Sequence, residues 1–126
     1  MIKILTVLMA VLCLVSPLAA QVDPKGLVGV WEGNWHMRTS ERQYTGPMTV
    51  TIEKVENGKV FGKTESTNIR GENTPPVTWS VPLTDTGWSI VNREGFPTTV
   101  TVEGTKMQVI TTRGASTLTA TLIKKK

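Results

Sequence analysis

The sequence predicts an all-β fold, an antiparallel eight-stranded up-and-down barrel. Apolar and polar side chains alternate over eight short segments after residue 21, as in strands that bury one face. Glycine, asparagine and aspartate separate these segments at near-regular spacing, and no helical period of useful length lies between them. Because an antiparallel meander hides its edges best by closing, we expect a barrel, with a two-sheet sandwich as the alternative.

Each predicted strand has an apolar face. In the first strand Trp31, Gly33 and Trp35 share one side, and in the last Leu118 and Leu122 face away from a row of threonines. The predicted strands are 27–37, 48–55, 59–66, 77–83, 88–92, 98–103, 106–112 and 116–123.

The connections between the strands predict two unlike ends. Asn57-Gly58 is a strong hairpin signal, and Pro82, which has no N–H to donate, places the fourth strand at an edge or a bulge. Alternate connections of a meander lie at the same end. Tight turns at 57–58, 85–87 and 104 therefore share one end, and the connections 38–46, 67–76, 93–97 and 113–115 share the other.

The first twenty residues differ from the rest. Lys3 precedes an apolar run, 4–15, and small residues end the segment at Ala20. This pattern predicts a cleavable export signal at 1–20 and a single barrel domain at 21–126, in the periplasm or outside the cell. The apolar run is too short to span a membrane, so we expect no transmembrane anchoring.

Composition narrows the function classes. Without Lys3 the chain has 13 basic and 10 acidic residues, and the C-terminal lysines 124–126 equal that excess, so we expect no binding to nucleic acid. His36 is the only histidine and Cys13 the only cysteine, which argues against a metal site. The sequence shows no catalytic motif, and we expect neither catalytic residues nor a cofactor.

The end with the longer connections is the predicted binding end. All five arginines fall in or beside these connections, and their planar forks suit an anionic ligand or an acidic protein surface. Trp35 is the aromatic residue best placed to contact a ligand there, with Tyr44 at the rim. The candidate ligand-binding residues are Trp35, Arg38, Arg42, Tyr44, Arg70, Arg93 and Arg113.

The segment Gly29-Val30-Trp31 resembles the Gly-x-Trp opening of the calycin barrels, the lipocalins and avidin-like proteins, and the Asn57-Gly58 hairpin looks avidin-like. The resemblance implies a small-molecule-binding cup in which Trp31 closes one end of the barrel. Glu32-Gly33-Asn34-Trp35 stands where avidins carry their biotin contacts, so biotin binding is not implied.

Three functions follow, in order of preference. The first is a secreted, non-enzymatic binding module that holds a small ligand or glycan, with anionic ones among the candidates, at the mouth with the longer connections. The second is a protein-interaction module, such as a secreted inhibitor of a hydrolase, that inserts the 38–44 loop into its target. The third is an enzyme. The sequence indicates no oligomeric state.

Overall fold

A computed structural model of the protein describes residues 22–91 and 95–125. Its eight strands form one antiparallel sheet in the order β4-β3-β2-β1-β8-β7-β6-β5, which confirms the up-and-down barrel and excludes the sandwich. The strands are β1 (Gly29–Arg38), β2 (Gln43–Glu56), β3 (Lys59–Ser66), β4 (Val77–Pro82), β5 (Gly87–Val91), β6 (Pro97–Glu103), β7 (Lys106–Arg113) and β8 (Ser116–Lys124).

The barrel interior contains the apolar face of every strand. Trp31 and Trp35 of β1 are almost completely buried, and Val50 and Ile52 of β2 pack into the same core. Threonines alternate with these residues and face outward, as on β8, whose burial alternates along its length. The period-two pattern in the sequence therefore identifies the inward face correctly.

A short N-terminal segment closes one end of the barrel. A four-residue helical turn, α1 (Pro24–Leu27), is capped by Asp23, whose side chain accepts a hydrogen bond from the Lys25 N–H at 3.1 Å. Leu27 is only 1% exposed, and its carbonyl oxygen accepts from Trp31 Nε1 at 2.9 Å. The predicted first strand began too early, at residue 27, because the Leu27 side chain plugs the barrel end instead of continuing the ladder.

The barrel is nearly closed, with β4 and β5 as the two edges of the sheet. Among the described residues no ladder pairs join these strands, and a turn connects them in which Thr84 N donates to Gly87 O at 2.7 Å. The rings of Trp79 and Trp88 meet across the gap, with centroids 5.5 Å apart. Pro82 thus lies on an edge strand, as its missing N–H predicts.

The prediction of a long first connection at 38–46 is wrong. Arg38 pairs with Gln43, so a turn of only four residues joins β1 and β2. Thr39 holds this turn, because its N–H donates to Arg42 O at 2.9 Å and its Oγ1 accepts from Arg42 N at 3.1 Å. Gly46, read from the sequence as a loop residue, lies inside β2 opposite Trp35.

Two predictions concern residues that the structure does not describe. The export signal, residues 1–20, and Arg93 lie outside the described ranges. Within 22–91 and 95–125, the structure contains no helix of the length and apolarity needed to cross a bilayer.

Candidate functional site

A cavity of about 680 Å³ lies at the end of the barrel opposite α1. We call it the cup. It is formed by inward-facing residues at the ends of β1, β2, β7 and β8 together with residues from the connections beyond β3 and before β6. Residues that bound the cup include Trp35, Met48, Thr67, Phe96, Arg113 and Leu118.

Apolar side chains make up half of the residues that line the cup. Met37 follows Trp35 on the inward face of β1, and register places it beside Leu118 of β8. Met48 contributes from β2 and is buried. Methionine side chains adapt their shape to different contacts, so this lining suits a non-polar ligand body of more than one outline. A volume of this size falls in the range of small-molecule sites.

Two buried polar atoms beside the cup have no hydrogen-bond partner among the described residues: Trp35 Nε1 and Thr67 Oγ1. They come together because Gly46 has no side chain. A Cβ at Gly46 would stand 2.7 Å from Trp35 Nε1 and nearer still to Thr67 Oγ1. A buried polar group without a partner costs about 1–3 kcal/mol. In the part of the chain that the structure describes, these two are the buried side-chain polar atoms that lack a partner.

Among the described residues that line the cup, Arg113 is the one with a charged side chain. It ends β7 on the inward side, two residues after buried Thr111, and is itself half-buried. Its Cζ lies 5.2 Å from the Phe96 ring centroid, and its Nη1 is 3.9 Å from Met37 Sδ. These contacts fix the guanidinium at the wall of the cup.

The connection between β3 and β4 forms an ordered part of the rim. The Asn68 side chain accepts from Arg70 N at 2.9 Å and from Glu72 N at 3.0 Å. Thr74 Oγ1 donates to Ser66 O at 2.9 Å across the base of the connection. These local hydrogen bonds hold the rim without a regular element, in the manner of Asx and threonine turns.

The predicted site residues separate into two groups. Trp35 and Arg113 line the cup, and Arg42 and Arg70 are exposed on its end of the barrel. Arg38 and Tyr44 lie on strands and line a different groove, of about 610 Å³, next to His36. When the Gln43 amide is oriented with its oxygen toward Arg38, that oxygen accepts from Arg38 Nη2 at 2.8 Å and from Arg38 Nε at 3.2 Å.

Sequence reasoning missed most of the residues that line the cup, among them Met37, Thr67 and Phe96. The alternation that marks Trp35 as inward also places Met37 inward, so this signal was present. Thr67 and Phe96 lie in connections, outside the periodic pattern. Their position depends on how the neighbouring strands are staggered around the barrel.

A larger cavity, of about 730 Å³, lies at the α1 end between the N-terminal segment and β6 and β7. Most of its lining residues, such as Asp23, Thr101, Glu103 and Lys106, are exposed, so it is a surface groove. Leu27 separates this groove from the barrel core. No group of three or more metal-binding side chains occurs in the described part of the chain.

The fold and the cup define a small antiparallel β-barrel with one end plugged and the other open. A similar fold occurs in the crystal structure of Rv2717c from M. tuberculosis, with a TM-score of 0.56 and 11% sequence identity, over 80% of this chain and 94% of that chain. At that identity the likeness shows the fold alone. The sequence matches no protein-family model and no curated protein.

Proposed function

We propose that the protein is a non-enzymatic binding protein that holds a small apolar or sugar-like ligand in the cup. The observation that carries this proposal is the cup itself, a cavity of about 680 Å³ whose lining combines apolar side chains with hydroxyl and amide groups. The unpartnered Trp35 N–H gives further support, because an acceptor oxygen on a ligand would satisfy it once the Thr67 side chain turns aside.

The second candidate, a module that inserts a loop into a hydrolase, has less support. It depended on a protruding 38–44 loop, and β1 and β2 are instead joined by a four-residue turn. A calycin-like relationship is part of the proposal, supported by the up-and-down barrel and by Trp31 at its plugged end.

Export belongs to the proposal as well, on the n-region, apolar and small-residue pattern of residues 1–20. Mass spectrometry of the protein from fractionated cells tests it. We expect a mature chain that begins at Gln21 in the exported fraction. A chain with an intact N-terminus in the cytosol would contradict export, but it would not bear on ligand binding in the cup.

Binding is tested with N-phenyl-1-naphthylamine, a flat uncharged fluorophore whose emission rises in apolar surroundings. We expect saturable binding at one site per chain. The variant Leu118→Phe narrows the cup and should weaken binding at least tenfold, which corresponds to about 1.4 kcal/mol. Displacement by a panel of small molecules and oligosaccharides then ranks natural ligand classes.

The matched control is Ile123→Phe, which adds the same bulk on the same strand. Ile123 is 51% exposed on the outer face, so its replacement should leave binding unchanged. Absence of saturable binding, or equal affinity in wild type and Leu118→Phe, would overturn the proposed function.

A further inference from the structure

We infer that the ligand of the cup carries an uncharged oxygen, a carbonyl or a hydroxyl, that accepts a hydrogen bond from the Trp35 indole N–H and meets the Thr67 hydroxyl. This assignment rests on the proposed function and names the polar group of its ligand. An indole N–H only donates, whereas a hydroxyl both donates and accepts, so one oxygen with two lone pairs can bond to both groups. A pure hydrocarbon would leave both without a partner.

The first support is the unused indole donor. Trp35 is 2% exposed, and its Nε1 has no hydrogen-bond partner among the described residues. Two other indoles have acceptors within the chain. Trp31 Nε1 donates to Leu27 O at 2.9 Å, and Trp79 Nε1 donates to Thr64 Oγ1 at 2.9 Å. A buried donor without an acceptor is uncommon in folded proteins, and beside a cavity a ligand can supply the missing acceptor.

The second support is a second unpartnered polar atom beside the first. Thr67 Oγ1 is buried and has no hydrogen-bond partner in the part of the chain that the structure describes. A Cβ on Gly46 would be 2.7 Å from Trp35 Nε1 and closer still to Thr67 Oγ1, so the two polar atoms flank one small volume. Because hydrogen bonds span about 3 Å, a single ligand oxygen can reach both atoms.

The third support is that the backbone beside both polar atoms is held before any ligand binds. Thr45 Oγ1 donates to Trp35 O at 2.9 Å, and Thr67 forms an isolated β-bridge with Asn73. Both Trp35 and Thr67 line the cup, and a change of the Thr67 side-chain rotamer would open the pair to it. A site whose backbone is already ordered loses less conformational entropy on binding.

Other polar side chains of the cup lining are used within the rim. Asn68 Oδ1 accepts from Glu72 N at 3.0 Å, and Asn68 Nδ2 donates to Glu72 Oε1 at 3.3 Å. Thr74 Oγ1 donates to a backbone carbonyl oxygen across the base of the connection at 2.9 Å. These groups hold the chain in place, which leaves Trp35 Nε1 and Thr67 Oγ1 as the buried pair that a ligand oxygen would satisfy.

The test compares three probes that share a naphthalene body and differ at one carbon. 2-Ethylnaphthalene carries a methylene there, 2-acetylnaphthalene a carbonyl and 1-(2-naphthyl)ethanol a hydroxyl. Each is titrated against bound N-phenyl-1-naphthylamine, whose loss of emission reports displacement. We expect wild-type protein to bind the ketone or the alcohol about fivefold or more tightly than the hydrocarbon, which corresponds to about 1 kcal/mol, the range of a neutral hydrogen bond. The tighter of the two oxygen probes tells a carbonyl ligand from a hydroxyl ligand.

Variants at the two residues then locate the preference. Trp35→Phe removes the indole donor and enlarges the cup equally for all three probes, so the preference for oxygen should fall to within about twofold. Thr67→Val removes the hydroxyl at nearly constant shape and should lose part of the preference. The matched control is Thr67→Ser, which keeps the hydroxyl and should keep the preference. In wild-type protein the Trp35 indole proton should move further downfield with the preferred oxygen probe than with 2-ethylnaphthalene.

Equal binding of all three probes by wild-type protein, or a preference that survives in Trp35→Phe, overturns the oxygen assignment and leaves the cup as a site for hydrocarbon-like ligands. If Trp35→Phe fails to fold, an unchanged preference in Thr67→Val together with equal indole shifts for the three probes overturns it. Failure of N-phenyl-1-naphthylamine to bind saturably to wild-type protein overturns the proposed function itself.

Discussion

Two tryptophans on one strand face opposite ends of the barrel and have opposite surroundings. Trp31 and Trp35 are four residues apart on the inward side of β1 and are 0% and 2% exposed. The Trp31 N–H donates to the Leu27 carbonyl, whereas the Trp35 N–H has no partner among the described residues. At the Trp31 end, the N-terminal segment closes the barrel and accepts the indole hydrogen bond. At the Trp35 end lie the cup and an indole N–H without an acceptor.

The difference separates an end that the chain itself closes from the end to which we assign ligand binding. At the α1 end, Lys124 Nζ also donates to Gly26 O at 2.7 Å, and Val22 N donates to Asp85 O at 2.9 Å. These bonds tie the plug to the sheet. At the cup end two buried polar atoms beside the cavity have no partner among the described residues, an arrangement that costs stability and is common where a protein binds a ligand.

The largest effect is expected from Leu27→Ala at the plugged end. Removal of this side chain opens a cavity beneath Trp31 and should lower the free energy of unfolding by about 2–5 kcal/mol, measured by urea denaturation. Val28→Ala is the control, because Val28 is 42% exposed and its loss should cost far less. Equal costs would show that Leu27 is not the plug.

Gly46→Ala tests the close packing at the cup end. The new Cβ would stand 2.7 Å from Trp35 Nε1, so the indole must move, at a cost of about 1–3 kcal/mol. Near-UV circular dichroism should report the displaced tryptophan. Gly26→Ala serves as control, since its nearest neighbouring atom would be 3.8 Å away. A neutral Gly46→Ala would contradict the assigned role of this glycine.

Trp31→Phe and Trp35→Phe compare the two ends directly. Both variants lose similar volume, but only Trp31→Phe leaves a buried carbonyl, that of Leu27, without its donor. We expect Trp31→Phe to cost about 1–2 kcal/mol more in chemical denaturation. If Trp35→Phe were the more destabilising of the two, the Trp35 N–H would have to be satisfied in the folded protein.

The smallest effect is expected at a polar pair inside the barrel near the cup. The hydroxyls of Thr98 and Thr111 lie 2.7 Å apart and are buried. Thr98→Val should cost about 1 kcal/mol, because it leaves one hydroxyl unpaired. The double variant with Thr111→Val should recover most of that loss in a double-mutant cycle. Additive losses would mean that the two hydroxyls do not interact.

Much of the fold could be predicted from periodicity. Alternation located every strand and the inward side of Trp31 and Trp35, and Pro82 marked an edge. The sequence failed at Gly46, because a glycine that makes room for an indole looks the same as a glycine in a turn. That error lengthened the first connection and placed Arg38 and Tyr44 beside the cup, although they line another groove.

The site was harder to predict than the fold. Trp35 was predicted as a ligand contact because it lies near the long-connection end of its strand, and Arg113 because the sequence places it in a connection at that end. Phe96 and Thr67 were not, since a residue in a connection has no period to indicate its direction. Whether the Trp35 N–H finds a partner depends on which side chain faces it across the barrel, and strand stagger decides that.

The most direct test is an NMR titration of the tryptophan indole N–H groups. The protein has four tryptophans, so a ¹H–¹⁵N correlation spectrum should show four indole signals, each assigned by a single tryptophan-to-phenylalanine variant. With N-phenyl-1-naphthylamine added, we expect the Trp35 signal to shift saturably and the Trp31 signal to stay in place. A shift of Trp31 with Trp35 unmoved, or no shift of any indole at saturating probe, would contradict a ligand site at the open end.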